Sequence, residues 1–298
     1  MFYRRKILLA LLELFDRQLT IERLQLLLFL LNRGKEKRDF DFIPSKNGPY
    51  SFQAAQDIST MMKYGYFKIS NQDEGTVIKL IQQGDYIADI KTEDQKLLTE
   101  VKTTLGALSQ DELIKHIFIE YPYYGINSPL AMELLDDNEI IIIKKQKQTI
   151  NIPTLFSIGY EGISLEEYIN KLIKNDVHVL CDVRKNAFSQ KFGFSKNQLS
   201  NACEVAGVKY VHIPELGIES EKRKELNREL DLHSLFEDYL KHTLPKNKDS
   251  LYYVREIIDK YKRVALTCFE KDPNQCHRTC VAEALMEMSD WEYEYKIL

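Results

Sequence analysis

From Thr154 onward the sequence alternates short apolar runs with longer amphipathic ones, and this rhythm restricts the fold more than any other feature. The runs at 155–159, 177–183, 210–213 and 264–269 are too short for buried helices and rich in β-branched residues, so they predict strands. Between them, residues 164–174, 195–206, about 220–261 and 278–288 carry helical spacing. The stretch about 220–261 is long enough for two helices, and Ser195 with Gln198 predicts a capping box. Strands separated by helices wrap into a mostly parallel sheet with helices on both faces. Such a sheet opens its functional crevice at the carboxyl ends of its strands. The predicted class for residues 153–298 is α/β.

The first half has a different rhythm. Helices are predicted over 4–15, from Thr20 through the nearly all-apolar 24–31, and over 52–64. Residues 40–44 read as a short strand or extended arm, and Gly48-Pro49-Tyr50-Ser51 as a turn and N-cap. Strands 66–70 and 76–80 join through the loop 71–75. Three helices followed by a hairpin is the element order of a winged helix, assigned here to residues 1–91. A helical extension and linker fills 92–152, with a strand at 140–143 before the basic Lys144-Lys145-Gln146-Lys147. A break in packing is expected between 140 and 153.

Composition excludes several classes. The 298 residues are 44% hydrophobic and 29% charged, ordinary for a globular chain and unlike a disordered one. A net charge of −4 excludes a polycation that coats nucleic acid by bulk charge, but not a local basic patch. Ten cations against six anions stand in the first 46 residues, Arg33, Lys35, Lys37 and Arg38 among them. These four are the candidate nucleic-acid contacts, although the helix 52–64 and the acidic loop at Asp73 and Glu74 are poor equipment for phosphates. The five cysteines all lie in the second half; an odd number in a long chain argues against a disulfide scaffold and for a reducing cytoplasm. The apolar start resembles a signal peptide until Glu13 and Asp16 interrupt it, and no run is long enough to span a bilayer, so no membrane partner is expected.

Three strand ends carry unusual residues: Gly159-Tyr160-Glu161-Gly162, Asp182-Val183-Arg184, and the segment from Cys268-Phe269-Glu270 to Cys276-His277-Arg278. In a parallel sheet all three converge on one edge. Arg184 and Arg278, beside a predicted helix start, suit a phosphate or carboxylate, or else saturate strand-end carbonyls and pair with Asp182. Glu270 and Asp182 are candidate acid–base or ribose-hydroxyl groups, and Gly159 and Tyr160 the floor of the pocket. Cys276, beside His277 and Arg278, is the candidate nucleophile. Cys181 and Cys203 read as core. A thiol-phosphatase loop places Arg six positions after its Cys, whereas here Cys268 precedes Arg278 by ten and Cys276 by two. Cys268, Cys276, His277 and Cys280 could supply zinc ligands, but no second paired cluster exists, so neither a metal nor a cofactor is assigned.

Ser157-Ile158-Gly159-Tyr160, Asp182-Val183-Arg184 with Ser189 and Phe194, His212-Ile213-Pro214-Glu215-Leu216-Gly217, and Cys268-Phe269-Glu270 with Cys276-His277-Arg278 together resemble the domain-of-unknown-function 488 family in order and spacing, over about half of the chain. Asn186-Ala187 stands where that family usually has a proline. The resemblance implies a fold and site residues but no settled reaction. Leu24-Gln25-Leu26-Leu27-Leu28 with Asn47-Gly48-Pro49-Tyr50-Ser51 resembles, more distantly, the N-terminal motif of Panacea-type antitoxin and winged-helix modules.

The function these features predict is a hydrolase or transferase on a phosphate-bearing substrate, nucleotide or nucleic acid, as in DNA repair, base modification or phage defence. A winged-helix module would target it, and a homodimer is compatible with the pattern. The rival is a non-catalytic regulator whose C-terminal pocket senses a small anion while the N-terminal module binds DNA or a partner.

Overall fold

A computed structural model describes the chain except residues 73, 74, 148 and 220–228; between 229 and 233 it describes backbone only. The chain divides into two compact units, Met1–Lys147 and Gln148–Leu298. Among the described residues no helix is long and apolar enough to cross a membrane.

In the first unit, α1 (Tyr3–Leu14), β1 (Gln18–Thr20) and α2 (Ile21–Arg33) are followed by β2 (Ile43–Ser45), β3 (Gly48–Tyr50), α3 (Phe52–Lys63), β4 (Phe67–Gln72) and β5 (Gly75–Leu80). Residues Leu24 to Asn32 of α2 are all buried, as a run apolar on every side requires. Thr20 and Ser51 cap α2 and α3, their hydroxyls accepting from the amides of Arg23 and Ala54. The antiparallel sheet has the order β1-β5-β4, and β2 and β3 form a separate two-stranded hairpin. That hairpin corrects the reading of 40–51. Only 43–45 is strand, and it pairs with Gly48–Tyr50, which had been expected as a plain turn.

Helices α4 (Thr92–Leu105) and α5 (Gln110–Glu120) join the same core through Leu98, Val101, Leu113 and Ile117. The stretch expected as a strand at 140–143 lies in a helix, α7 (Asp137–Gln146), which follows the short α6 (Leu130–Leu134). Asp136 and Glu139 close a reciprocal capping box at its start. Only Ile140 and Ile143, three apart, are buried, while Ile141 and Ile142 face water. The cap and the one-sided burial outweigh the β-propensity of four isoleucines.

The second unit contains β6 (Thr154–Gly159), α8 (Leu165–Lys174), β7 (Val179–Asp182), α9 (Lys196–Val205), β8 (Lys209–His212), α10 (Glu229–Asp238), α11 (Lys248–Tyr261), β9 (Arg263–Cys268), α12 (His277–Met286) and β10 (Glu294–Ile297). The five strands are all parallel, in the order β10-β6-β9-β7-β8. The sheet is α/β as expected, with β10 an edge strand that the sequence did not disclose. The first of the two helices expected over 220–261 falls partly outside the described residues. Ser195 forms no capping box; its hydroxyl instead bridges the amide and carbonyl of Ser189, tying down the loop before α9.

Side chains at laterally paired positions share a face of a sheet. Cys181 and Ser157 both pair with Leu266, which places them on the face packed by α11 and α12. Asp182 and Ile158 both pair with Thr267, on the opposite face, where the Tyr168 hydroxyl of α8 donates to Thr267 at 2.7 Å.

Candidate functional site

The carboxyl ends of β6, β7 and β9 are drawn together by backbone. The amides of Tyr160 and Glu161 both donate to Phe269 O, at 3.1 and 3.0 Å. A Cβ on Gly159 would stand 1.9 Å from Glu270 O, so only glycine permits this approach. The convergence of the three strand-end segments is therefore real, but their side chains separate onto two faces.

On one face, Asp182 is fully buried and grips Arg184 in a fork, Nε to Oδ1 at 2.8 Å and Nη2 to Oδ2 at 2.5 Å. The remaining Nη1 donates to the Tyr160 hydroxyl at 2.7 Å and to Phe194 O at 2.9 Å. The Tyr210 hydroxyl donates to Asp182 Oδ2 at 2.6 Å, and the His212 ring meets Arg184 O at 2.9 Å. The Tyr160 ring stacks on Phe194 with centroids 4.2 Å apart. Burial alone would lower the guanidinium's pKa, but the Asp182 carboxylate outweighs it and holds Arg184 above its ordinary value. Asp182 thus anchors Arg184 and has no opening onto substrate.

On the other face, Arg278 is fully buried. Its Nε donates to Ser157 Oγ at 2.8 Å, Nη1 to Glu270 O at 2.6 Å and Nη2 to Lys271 O at 3.3 Å. The expected two-arginine anion pocket does not form. Arg184 and Arg278 lie on opposite faces of the sheet, one neutralised by Asp182 and the other saturating carbonyls of the β9 loop.

Beside Arg278 lies a sulfur cluster. Cys268 Sγ donates to Glu270 Oε2 at 3.2 Å and lies 3.6 Å from His277 Nδ1; Cys276 Sγ lies 4.0 Å from the same nitrogen. His277 Nε2 is 2.9 Å from Val183 O. Burial pushes the Cys276 thiol well up, which suits an inert thiol better than a free thiolate nucleophile. Burial likewise pushes Cys181 up to about 12 and raises Cys203, as core thiols should behave.

A cleft of about 260 Å³ opens where the two faces meet, bounded by Arg184, Cys268 and His277. Of the expected site residues, Gly159, Asp182, Glu270, Cys276 and Arg278 do not line it. Its lip carries Phe188, 70% exposed, and Phe269, 42% exposed, together with the exposed Lys185, Asn186 and Gln190. Sequence reasoning missed Lys185, Asn186, Phe188 and Gln190 because nothing in a local pattern marks which side chains of a loop face a cleft. Cys268, rather than the expected nucleophile Cys276, is the cysteine that lines the cleft.

The candidate nucleic-acid contacts in the first unit also divide. The Arg33 guanidinium sits over Phe29, Tyr121 and Tyr124 at 4.8 to 5.2 Å and donates to the Tyr124 hydroxyl. Lys35 is paired with Asp94 at 2.9 Å and with Asp39. Both hold the fold together. Lys37 and Arg38 are exposed. Arg4 and Arg5 converge on the buried Asp57 of α3, so these cations too are engaged internally.

Residues 164–285 match the model of a protein family described as "Domain of unknown function DUF488". The matched span holds β7 to β9, the lip residues and the sulfur cluster, and begins after β6. A search of curated proteins found no match.

Proposed function

We propose that the DUF488 region of this chain is an enzyme directed at a nucleotide or nucleic acid, taking one nucleotide unit into the cleft at the carboxyl edge of its sheet. The observation that carries this reading is the composition of the lip. Two exposed phenylalanines offer faces on which a base can stack, a contact worth about 1–3 kcal/mol per base and indifferent to sequence. Asn186 and Gln190 present amide donors and acceptors to a base edge, and Lys185 a cation to a phosphate. A second hollow of about 290 Å³ shares Lys185 and Ile218 with the cleft, which favours a ligand longer than a small ion. Glu270 does not line the cleft itself but accepts a hydrogen bond from Cys268, which does, and is the group that holds or moves a proton. The first unit would assist by targeting, through Lys37 and Arg38.

The test is equilibrium binding of a fluorescent single-stranded oligonucleotide and of nucleoside monophosphates to the full chain. Phe188→Ala with Phe269→Ala should weaken binding by about 5- to 150-fold, the equivalent of one lost stack. Unchanged affinity would remove the cleft from the account. The second reading, a regulator that senses a small anion without turnover, draws on the depth of Cys268 and His277, both buried. It predicts ligand binding with Glu270→Gln indistinguishable from wild type in every assay, whereas the enzyme reading predicts retained binding and lost turnover.

A further inference from the structure

We infer that Cys268, Cys276 and His277 form a binding site for one thiophilic divalent metal ion of the zinc class, with the fourth coordination position opening toward the cleft. The three ligand atoms lie within 4.8 Å of one another, and all three residues are buried. Zinc–sulfur and zinc–nitrogen bonds of about 2.3 and 2.0–2.1 Å in a tetrahedron set the sulfur–nitrogen edge at about 3.6 Å. The two such edges here are 3.6 and 4.0 Å, and the two sulfurs lie within 4.8 Å of each other where a tetrahedral ion needs about 3.8 Å, so an ion closes the cluster without rearranging the backbone.

The histidine is oriented for this role. Val183 O can only accept, so His277 Nε2 carries the proton and Nδ1 keeps its lone pair, directed at the two sulfurs. A ring nitrogen hydrogen-bonded to a backbone carbonyl is the usual support of a metal-bound imidazole. Two soft sulfurs and an imidazole select zinc over magnesium or calcium, which require oxygen ligands. Binding releases the two thiol protons to solvent and leaves both cysteines as thiolates. Cys268 and His277 also line the cleft, and the Glu270 carboxylate stands 3.2 Å from Cys268 Sγ. Three protein ligands with an open fourth position is the composition of catalytic rather than structural zinc sites.

The inference stands on ligand geometry and not on the nature of the substrate. Loss of nucleotide binding in the lip variants, with the metal retained, separates the two claims. Reduced, chelator-treated full-length protein is titrated with Co(II) and then Zn(II). The expected result is one equivalent bound, with thiolate-to-cobalt charge-transfer bands that Zn(II) abolishes. Cys276→Ser and His277→Ala should each lose at least tenfold in affinity, while Cys280→Ser, one turn further along α12, should bind as wild type. X-ray absorption at the zinc edge of the wild-type protein does not depend on any variant folding; it should show two sulfur scatterers at about 2.3 Å. Absence of stoichiometric binding under reducing conditions, a shell of nitrogen and oxygen alone, or affinity unchanged in both ligand variants would each overturn the site.

Discussion

Asp182→Asn should destabilise the C-terminal unit by about 3–5 kcal/mol, the cost of leaving a buried charge without its partner. Asp182 accepts from Arg184 through Nε, Nη2 and the main-chain amide, and from the Tyr210 hydroxyl. An asparagine keeps the shape but cannot balance the guanidinium, and its amide nitrogen would face a donor. Tyr210→Phe removes a single hydrogen bond and should cost only about 1 kcal/mol. The chain has one tryptophan, Trp291, and it belongs to this unit, so its fluorescence during urea denaturation reads the effect without interference from the first unit. A loss for Asp182→Asn no larger than that for Tyr210→Phe would show that the fork is not what holds the β7 end.

The second large effect is expected at Arg278. Arg278→Met removes three donors together: it strands the buried Ser157 hydroxyl, at about 1–3 kcal/mol, and unties the part-buried carbonyls of Glu270 and Lys271, which water can reach. The loss should fall on the loop that carries Phe269 and Glu270, because that loop is fastened to the sheet through this side chain. Amide exchange over residues 269–275 should accelerate in Arg278→Met well before the rest of the sheet does. Arg278→Lys keeps the charge but not the planar fork, and should recover only part of the loss. If stability and exchange were unchanged while oligonucleotide binding alone fell, Arg278 would be an anion ligand after all.

The strand–helix alternation made the parallel sheet legible, because a right-handed crossover leaves few alternatives for where strand ends can lie. The face on which each side chain projects was not legible. That depends on which strands are neighbours, and the placement of β9 between β6 and β7 is what sends Asp182 and Ser157 to opposite sides. An arginine at a strand end looks the same in sequence whether it meets a substrate or a carboxylate two residues away, as Arg184 does. Arg33 is held by aromatic rings about ninety residues further on, beyond the reach of any local pattern. The capping box at Asp136 and Glu139 was readable in principle, but the four consecutive isoleucines masked it. Residues 294–297 lacked the continuous apolar run of a buried strand because β10 lies at an edge and is largely exposed.

The central claim is that a nucleotide unit enters the cleft beside Phe188 and Phe269, and photo-crosslinking tests it most directly. A single-stranded oligonucleotide containing 5-iodouracil is irradiated with the full-length protein at moderate salt, and the crosslinked peptides are sequenced. The account predicts crosslinks at Phe188 or Phe269, lost when both are alanine and competed by excess unlabelled strand. Crosslinks confined to residues 1–147, or none that competitor removes, would contradict it.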